Sequence, residues 1–377
     1  MAARDAGYDL GIIGGGIIGT AAAAYAAEAG LRVILFERAQ IAAGASGRNS
    51  GAVQSPFDPV FAALHHRSLE LYRETAVAEA GFVLPPAPNG LMLLSFEEAA
   101  VASTHAGLIA EWPELQPTFL PVGEPSRLEP ALHPDLAACR IETGYPVAPA
   151  TATNAFARRA RMAGATLITG SDAQVRLDGA RATGIAFGED NADCDRVLIA
   201  AGPWAPDLVP GWQASRPIAP VWGVVASTRI PQSPAHILEE LGIGKESAMS
   251  GRLFSLVTVG ETASIGSTFL QDAPNETALA VEVMARGARF VPALADARVE
   301  SIRSCARPAS IDGRPIVGRI AGVEGLYVCA GHGPWGISTG PASAELVVRQ
   351  LLSNAEEWPE LSPSRIGTDH PPNTEFA

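Results

Sequence analysis

The chain has 377 residues, 47% of them hydrophobic and 18% charged, a composition that excludes a disordered chain and a length that suggests about two domains. A net charge of −13, from 27 basic and 40 acidic residues, argues against nucleic acid or an anionic membrane as partner, and no apolar run approaches the roughly 20 residues that span a bilayer. Cys139, Cys194, Cys305 and Cys329 show no CxxC pairing and no histidine cluster at metal spacing, so no metal site or disulfide framework is expected, and a reducing cytoplasm is the expected compartment.

Met1 to Asp9 runs directly into a first apolar strand, leaving no room for a signal peptide. The strand feeds Gly14-Gly15-Gly16-Ile17-Ile18-Gly19, an alanine-rich helix follows to Ala29, and a second apolar strand ends on Glu37. Gly14 allows the tight turn and Gly16 lets the backbone approach a diphosphate. Gly19 lets the helix pack closely, so that its N-terminal N–H groups can hold that diphosphate. Glu37 stands 18 residues past Gly19, where a carboxylate accepts ribose hydroxyls; an acid there favours FAD or NAD over NADP.

Next comes a run of small residues, Ala42 to Gly51, which suits backbone passing close to something flat or bulky. Residues 60–80 have the apolar spacing of a helix; His65 and His66 within it point about 100° apart and do not form a metal pair. Pro85 to Pro146 is proline-rich and looks inserted, with a strand at Gly90–Phe96 and a helix at Glu97–Ala110. Val147–Thr169 returns to a helix and a strand, and Asp195–Trp204 is a buried strand ending in a turn at Gly202. From Arg216 to Val299 alternating strands dominate, with a helix at Thr277–Phe290. The last block holds a turn at Asp312-Gly313, a strand at Gly325–Cys329, a glycine-rich loop and a helix from Gly340. Segments 1–85, 146–215 and 300–377 therefore read as one nucleotide-binding domain, interleaved with a second domain made of 86–145 and 216–299.

Four features in order, the first glycine turn, Gly44-Ala45-Ser46-Gly47-Arg48-Asn49-Ser50-Gly51, Ala200-Ala201-Gly202-Pro203-Trp204, and the pair Arg307-Pro308 with Asp312-Gly313 and Ala330-Gly331-His332-Gly333-Pro334-Trp335-Gly336, resemble the D-amino-acid-oxidase superfamily of FAD enzymes. The likeness is to its glycine oxidase, sarcosine oxidase and D-amino-acid dehydrogenase branch and covers nearly the whole chain. It implies an α/β fold: a Rossmann-type FAD-binding domain interleaved with a mixed α+β substrate domain built on an antiparallel sheet. It also implies that Ile17, Ile18 and the neighbouring glycines contact the pyrophosphate, and Glu37 with Arg38 the adenosine ribose. Ala45, Ser46, Ser50, Gly51 and Ala52 would run along the pyrophosphate, ribityl chain and flavin edge, and the Val175 backbone would meet the adenine. His332, Gly333, Pro334, Trp335, Gly336 and Ile337 would lie along the pyrimidine side of the flavin, where N–H groups and a helix start near Gly340 stabilise negative charge.

Arg307 matches the arginine that pairs with the substrate carboxylate in the amino-acid oxidases, a task suited to a planar guanidinium. Arg48, whose loop passes near the flavin, is either a second substrate contact or a structural tie. Cys305 stands where the sarcosine-oxidase branch bonds a cysteine to its flavin; noncovalent binding is favoured here, since a buried cysteine is usually a small hydrophobe. The lysine that promotes reaction with oxygen in monomeric sarcosine oxidase falls at Ser264, and the only lysine, Lys245, lies well upstream in a glycine-rich turn. Trp222 and Phe269 are candidate pocket walls. The implied activity is FAD-dependent oxidation of a C–N bond in a small amino acid or N-alkyl amino acid, with oxygen, a quinone or a carrier protein as acceptor. The alternatives are a 2-hydroxy-acid dehydrogenase and a flavoprotein subunit of an opine, proline or sarcosine dehydrogenase complex, so a partner subunit or homo-oligomer stays open.

Overall fold

A computed structural model describes residues 7–242, 252–353 and 358–366 and builds them around two eight-stranded sheets. With strands numbered along the chain, the first sheet takes β1 (Tyr8–Ile13), β2 (Val33–Glu37), β8 (Thr166–Thr169), β9 (Ala173–Asp178), β10 (Arg181–Phe187), β11 (Asp190–Ile199), β17 (Ile316–Arg319) and β18 (Leu326–Ala330). Its order is β17-β18-β11-β1-β2-β8, with β10 and β9 extending from β11. β1 lies parallel to both β2 and β11, and its apolar run is buried because helices and strands cover both faces. Helix α1 (Ile17–Glu28) packs against α5 (Pro149–Met162) and α7 (Gly336–Ser353). Ala21 to Ala24 are fully buried in that contact; methyl side chains let the three helices approach closely.

The second sheet takes β4 (Leu91–Ser95), β5 (Thr118–Leu120), β6 (Ala137–Ile141), β12 (Ile218–Thr228), β13 (Ile237–Glu240), β14 (Arg252–Val259), β15 (Thr262–Thr268) and β16 (Ser301–Ser310), in the order β16-β12-β15-β14-β13-β4-β6-β5. All its pairings are antiparallel save β13 with β4. One face packs on helix α6 (Glu276–Phe290) through Leu238, Phe254, Leu256, Ala263 and Ile265. Because side chains alternate along a strand, Glu239, Ser255 and Ser264 point to the opposite face.

Several elements fall where the pattern predicts: β4, α4 (Glu98–Glu111), α6 and α3 (Pro59–Ala78) lie within two residues of their expected limits. α3 starts cleanly because Asp58 accepts from the N–H groups of Val60 and Phe61, and Pro59 needs no donor at the first position. Two expectations need correction. The boundary at residue 300 assigns β16 to the nucleotide-binding part, yet β16 pairs with β12 from Ser301 to Ser310 and so belongs to the second sheet. The last helix begins at Gly336, not near Gly340, and runs through Pro341. Pro341 has no N–H for the Ile337 carbonyl, and the Tyr72 hydroxyl donates to that carbonyl instead, at 2.8 Å. Lys245 lies outside the described residues.

Candidate active site

The glycine turn after β1 opens a cavity of about 560 Å³ between the two sheets. A Cβ on Gly14 would stand 2.3 Å from the Ala200 carbonyl, and one on Gly19 would stand 1.9 Å from the Gly14 carbonyl. Both positions therefore require glycine for steric reasons, the second because the helix begins against its own turn. Gly16 leaves room for Ser46, whose hydroxyl accepts from the Ile17 N–H at 2.9 Å. Glu37 accepts from the N–H groups of Gly15 at 2.7 Å and Ala39 at 2.9 Å, which fixes its carboxylate at the rim of the cavity. Arg38 lies 3.7 Å over the Trp204 ring, and both residues line the same end.

The opposing wall comes from β16 and the loop after β18. Ser304 to Pro308, Trp222, His332 to Pro334, Gly336 and Ile337 line it. Arg307 is held as a fork: Nη1 donates to the Thr268 carbonyl at 2.7 Å and Nη2 to Ser267 Oγ at 2.6 Å, with Phe269 beneath at 4.5 Å. No carboxylate pairs with it among the described residues, and burial lowers its pKa. Arg48 donates to the Ser304 carbonyl at 3.3 Å, which ties the small-residue loop to β16. Burial raises the Cys305 thiol pKa, against the pull of Arg307, Arg48 and Arg303. His332 is fully buried with both ring nitrogens unpartnered, and burial lowers its pKa to about 3, so the ring is neutral.

Of the residues expected in the site, Gly14, Gly16, Ile17, Ile18, Glu37, Arg38, Ala45, Ser46, Arg48, Gly202, Cys305, Arg307, His332, Gly333, Pro334, Gly336 and Ile337 all meet at this cavity. Gly19 stands behind it. Ser50, Gly51 and Ala52 do not line it, because the chain turns away at Gly51, with φ of 91°, and Ala52 pairs with Pro146. Val175 is set back in β9 opposite Ile185; Ser171 to Gln174 reach the cavity instead. Trp335 turns towards Phe61, with ring centres 6.4 Å apart. Trp222 lines the cavity, whereas Phe269 does not line it and lies beneath Arg307 instead. Arg303, absent from the sequence reading, donates to Ser227 Oγ and, at 3.0 Å, to Ser264 Oγ. Its spacing of two from Cys305 and four from Arg307 along β16 is the signal that places all three on one face.

A sheet with a parallel centre and a glycine turn, a fixed acid at the end of β2 and a cavity facing a second, mainly antiparallel sheet define a dinucleotide-binding oxidoreductase with a separate substrate domain. The chain matches the family of FAD dependent oxidoreductases, DAO, over residues 9–350, and it belongs to that family: it is an FAD-dependent enzyme. It is similar to glycine oxidase from Pseudomonas aeruginosa, with 27% identity over 368 residues, covering 92% of this chain and 94% of that one. Among solved structures it resembles glycine oxidase from Bacillus cereus, with TM-score 0.79 and 24% identity over 93% of this chain and 96% of that one. It also resembles iminodiacetate oxidase from Chelativorans sp. BNC1, with TM-score 0.80 and 24% identity over 94% and 98%. The residues present fit FAD: the Gly14 and Gly19 positions admit no side chain, and the cavity continues from Glu37 to the Arg307 wall. No helix among the described residues is long and apolar enough to cross a membrane.

Proposed function

We propose that the protein oxidises the C–N bond of a small amino acid or N-alkyl amino acid, and that Arg307 binds the substrate carboxylate. The observation that carries this reading is the Arg307 guanidinium, buried in the cavity wall with no carboxylate beside it among the described residues. A buried cation without an anion is costly, and a substrate carboxylate would supply the missing charge through two parallel hydrogen bonds. The names of the relatives, glycine oxidase and iminodiacetate oxidase, support substrates of this class.

Bound FAD supplies the hydride acceptor, and the imine formed from the substrate hydrolyses in water. The chain's own residues do the positioning. Ile17, Ile18 and Ser46 would border the diphosphate of FAD, Glu37 and Arg38 its adenosine end, and Gly333, Gly336 and Ile337 line the end of the cavity beside Arg307. The N-terminus of α7 there favours negative charge on the flavin side of the cavity. Arg307 would hold the substrate in one orientation beside the bound cofactor, and orientation of this kind supplies a large part of the rate.

The test is anaerobic addition of D-amino, L-amino, N-methyl-amino and 2-hydroxy acids to the purified yellow protein. Bleaching by amino acids is the expected result, and air admitted afterwards shows whether oxygen is the acceptor. Bleaching by 2-hydroxy acids alone would overturn the reading.

A further inference from the structure

Arg307 does not stand alone at its end of the cavity. An added Cβ on Gly223 would meet its Cζ at 2.5 Å, so the guanidinium lies back over Gly223, which pairs in the sheet with Cys305. One residue further back on β16, the Ser304 carbonyl accepts from Arg48 Nη1 at 3.3 Å. The two guanidiniums thus serve the same short stretch of the edge strand, Arg307 from over β12 and Arg48 from the small-residue loop. Arg48, Arg307 and the residues from Ser304 to Ala306 between them all line the cavity. Cys305 registers both charges: burial raises its thiol pKa, while Arg307 and Arg48 each pull it down.

Arg48 is no more committed than Arg307. Its one described hydrogen bond is the long one to Ser304, and no carboxylate among the described residues pairs with it. Glu276 takes the Ser304 hydroxyl hydrogen, but it neither lines the cavity nor forms an ion pair with Arg48. The acids that do line the cavity, Glu37, Asp172 and Asp207, belong to the end marked by Arg38 and Trp204. The FAD diphosphate is served by the glycine turn and the start of α1, beside Ser46, whereas Arg48 turns to β16. One substrate carboxylate answers Arg307 alone. A second guanidinium at the same end, shielded from water once the cavity is filled, calls for a second anion.

We propose that the substrate is an amine carrying two carboxylates, with Arg307 binding the one beside the oxidised carbon and Arg48 binding the other. This rests on the amino-acid reading above and narrows it. Each guanidinium presents a planar fork suited to a carboxylate. Arg307 is anchored on Ser267 and Thr268, and Arg48 on Ser304, so the two charges are set apart before substrate arrives. Two kinds of molecule fit: an amine bearing two carboxymethyl-type arms, and an amino acid with an acidic side chain. Glycine, alanine and sarcosine leave Arg48 unmatched and are poor substrates.

The experiment compares anaerobic bleaching of the full-length yellow protein by two sets of amines. One set is iminodiacetate with both enantiomers of aspartate and glutamate; the other is glycine, sarcosine and both enantiomers of alanine. The best dicarboxylate is expected to exceed the best monocarboxylate in kcat/KM by about 10-fold or more, the worth of one charge-assisted hydrogen bond. Arg48→Gln should shrink that ratio about 10-fold, and Arg48→Lys, which keeps the charge, should restore part of it. Monocarboxylates that match or beat every dicarboxylate overturn the proposal and leave the amino-acid reading intact. So does an Arg48→Gln variant that slows both sets equally, the mark of an arginine that merely holds the loop or the cofactor. Should that variant purify without FAD, inhibition of the wild type decides: succinate and glutarate should bind about 10-fold more tightly than propionate and butyrate, and equal binding overturns the proposal. A wild-type protein that no amine bleaches overturns the amino-acid reading, and this proposal with it.

Discussion

Ser267 Oγ accepts the Arg307 Nη2 hydrogen at 2.6 Å while the Thr268 carbonyl takes the Nη1 hydrogen at 2.7 Å. One edge of the guanidinium is therefore spent on β15, its face rests on Phe269, and its orientation is set before substrate arrives. Arg307→Lys keeps the charge and loses the planar fork. The expected result is a fall in kcat/KM of about 100-fold or more for carboxylate substrates, measured by steady-state kinetics, with flavin content unchanged. A fall of less than 3-fold would remove Arg307 from substrate binding.

Gly19→Ala places a methyl 1.9 Å from the Gly14 carbonyl, a backbone atom that cannot yield without opening the turn. The variant is expected to purify colourless or to lose FAD on gel filtration. Gly107→Ala is the control: its added methyl meets nothing within 4 Å, it sits within α4, and it should keep FAD and gain about 0.5–1 kcal/mol.

Cys305 is 5% exposed, and its burial keeps the thiol protonated at neutral pH. A protonated thiol is a poor nucleophile, so the flavin is expected to be noncovalent. Acid precipitation should send the yellow colour into the supernatant; colour retained in the pellet, and lost in Cys305→Ala, would establish a covalent bond.

His65 and His332 are buried and neutral, with pKa values lowered by burial to about 4 and about 3. In the unfolded chain each titrates near 6.5. Between those values the unfolded state binds protons that the folded state refuses, so stability falls as pH drops from about 6.5 towards 4 and is insensitive to these groups above 6.5. Thermal melts should show this slope, and His65→Gln should flatten part of it. A melting temperature constant from pH 7 to 4.5 would contradict the assignment of neutral, buried rings.

Much of the cofactor half is readable along the chain because its chemistry is local. The Gly14-to-Gly19 turn, the helix behind it and Glu37 lie within one β-α-β unit, and each glycine has a steric reason that the spacing alone conveys. The helix start at Gly336 is hidden by Pro341, which reads as a barrier until Tyr72, 265 residues from Ile337, is seen to satisfy the freed carbonyl. Ser50 to Ala52 look like more of the loop beside the flavin, and only their pairing with the Tyr145–Pro146 strand turns them aside.

By itself, then, the amino-acid order determined the dinucleotide-binding unit and the family, and it singled out Arg307 as the candidate for the substrate carboxylate, since these depend on neighbours a few residues apart or on motifs in sequence. Tertiary structure decided which polar groups are left without partners. Arg307 needs β15 for its anchors, Ser264 meets a guanidinium from β16, and Gln54 meets Glu239 across 185 residues of chain. Burial and pairing are properties of the packed sheets, and no spacing along a strand reveals whether a charge has found its opposite.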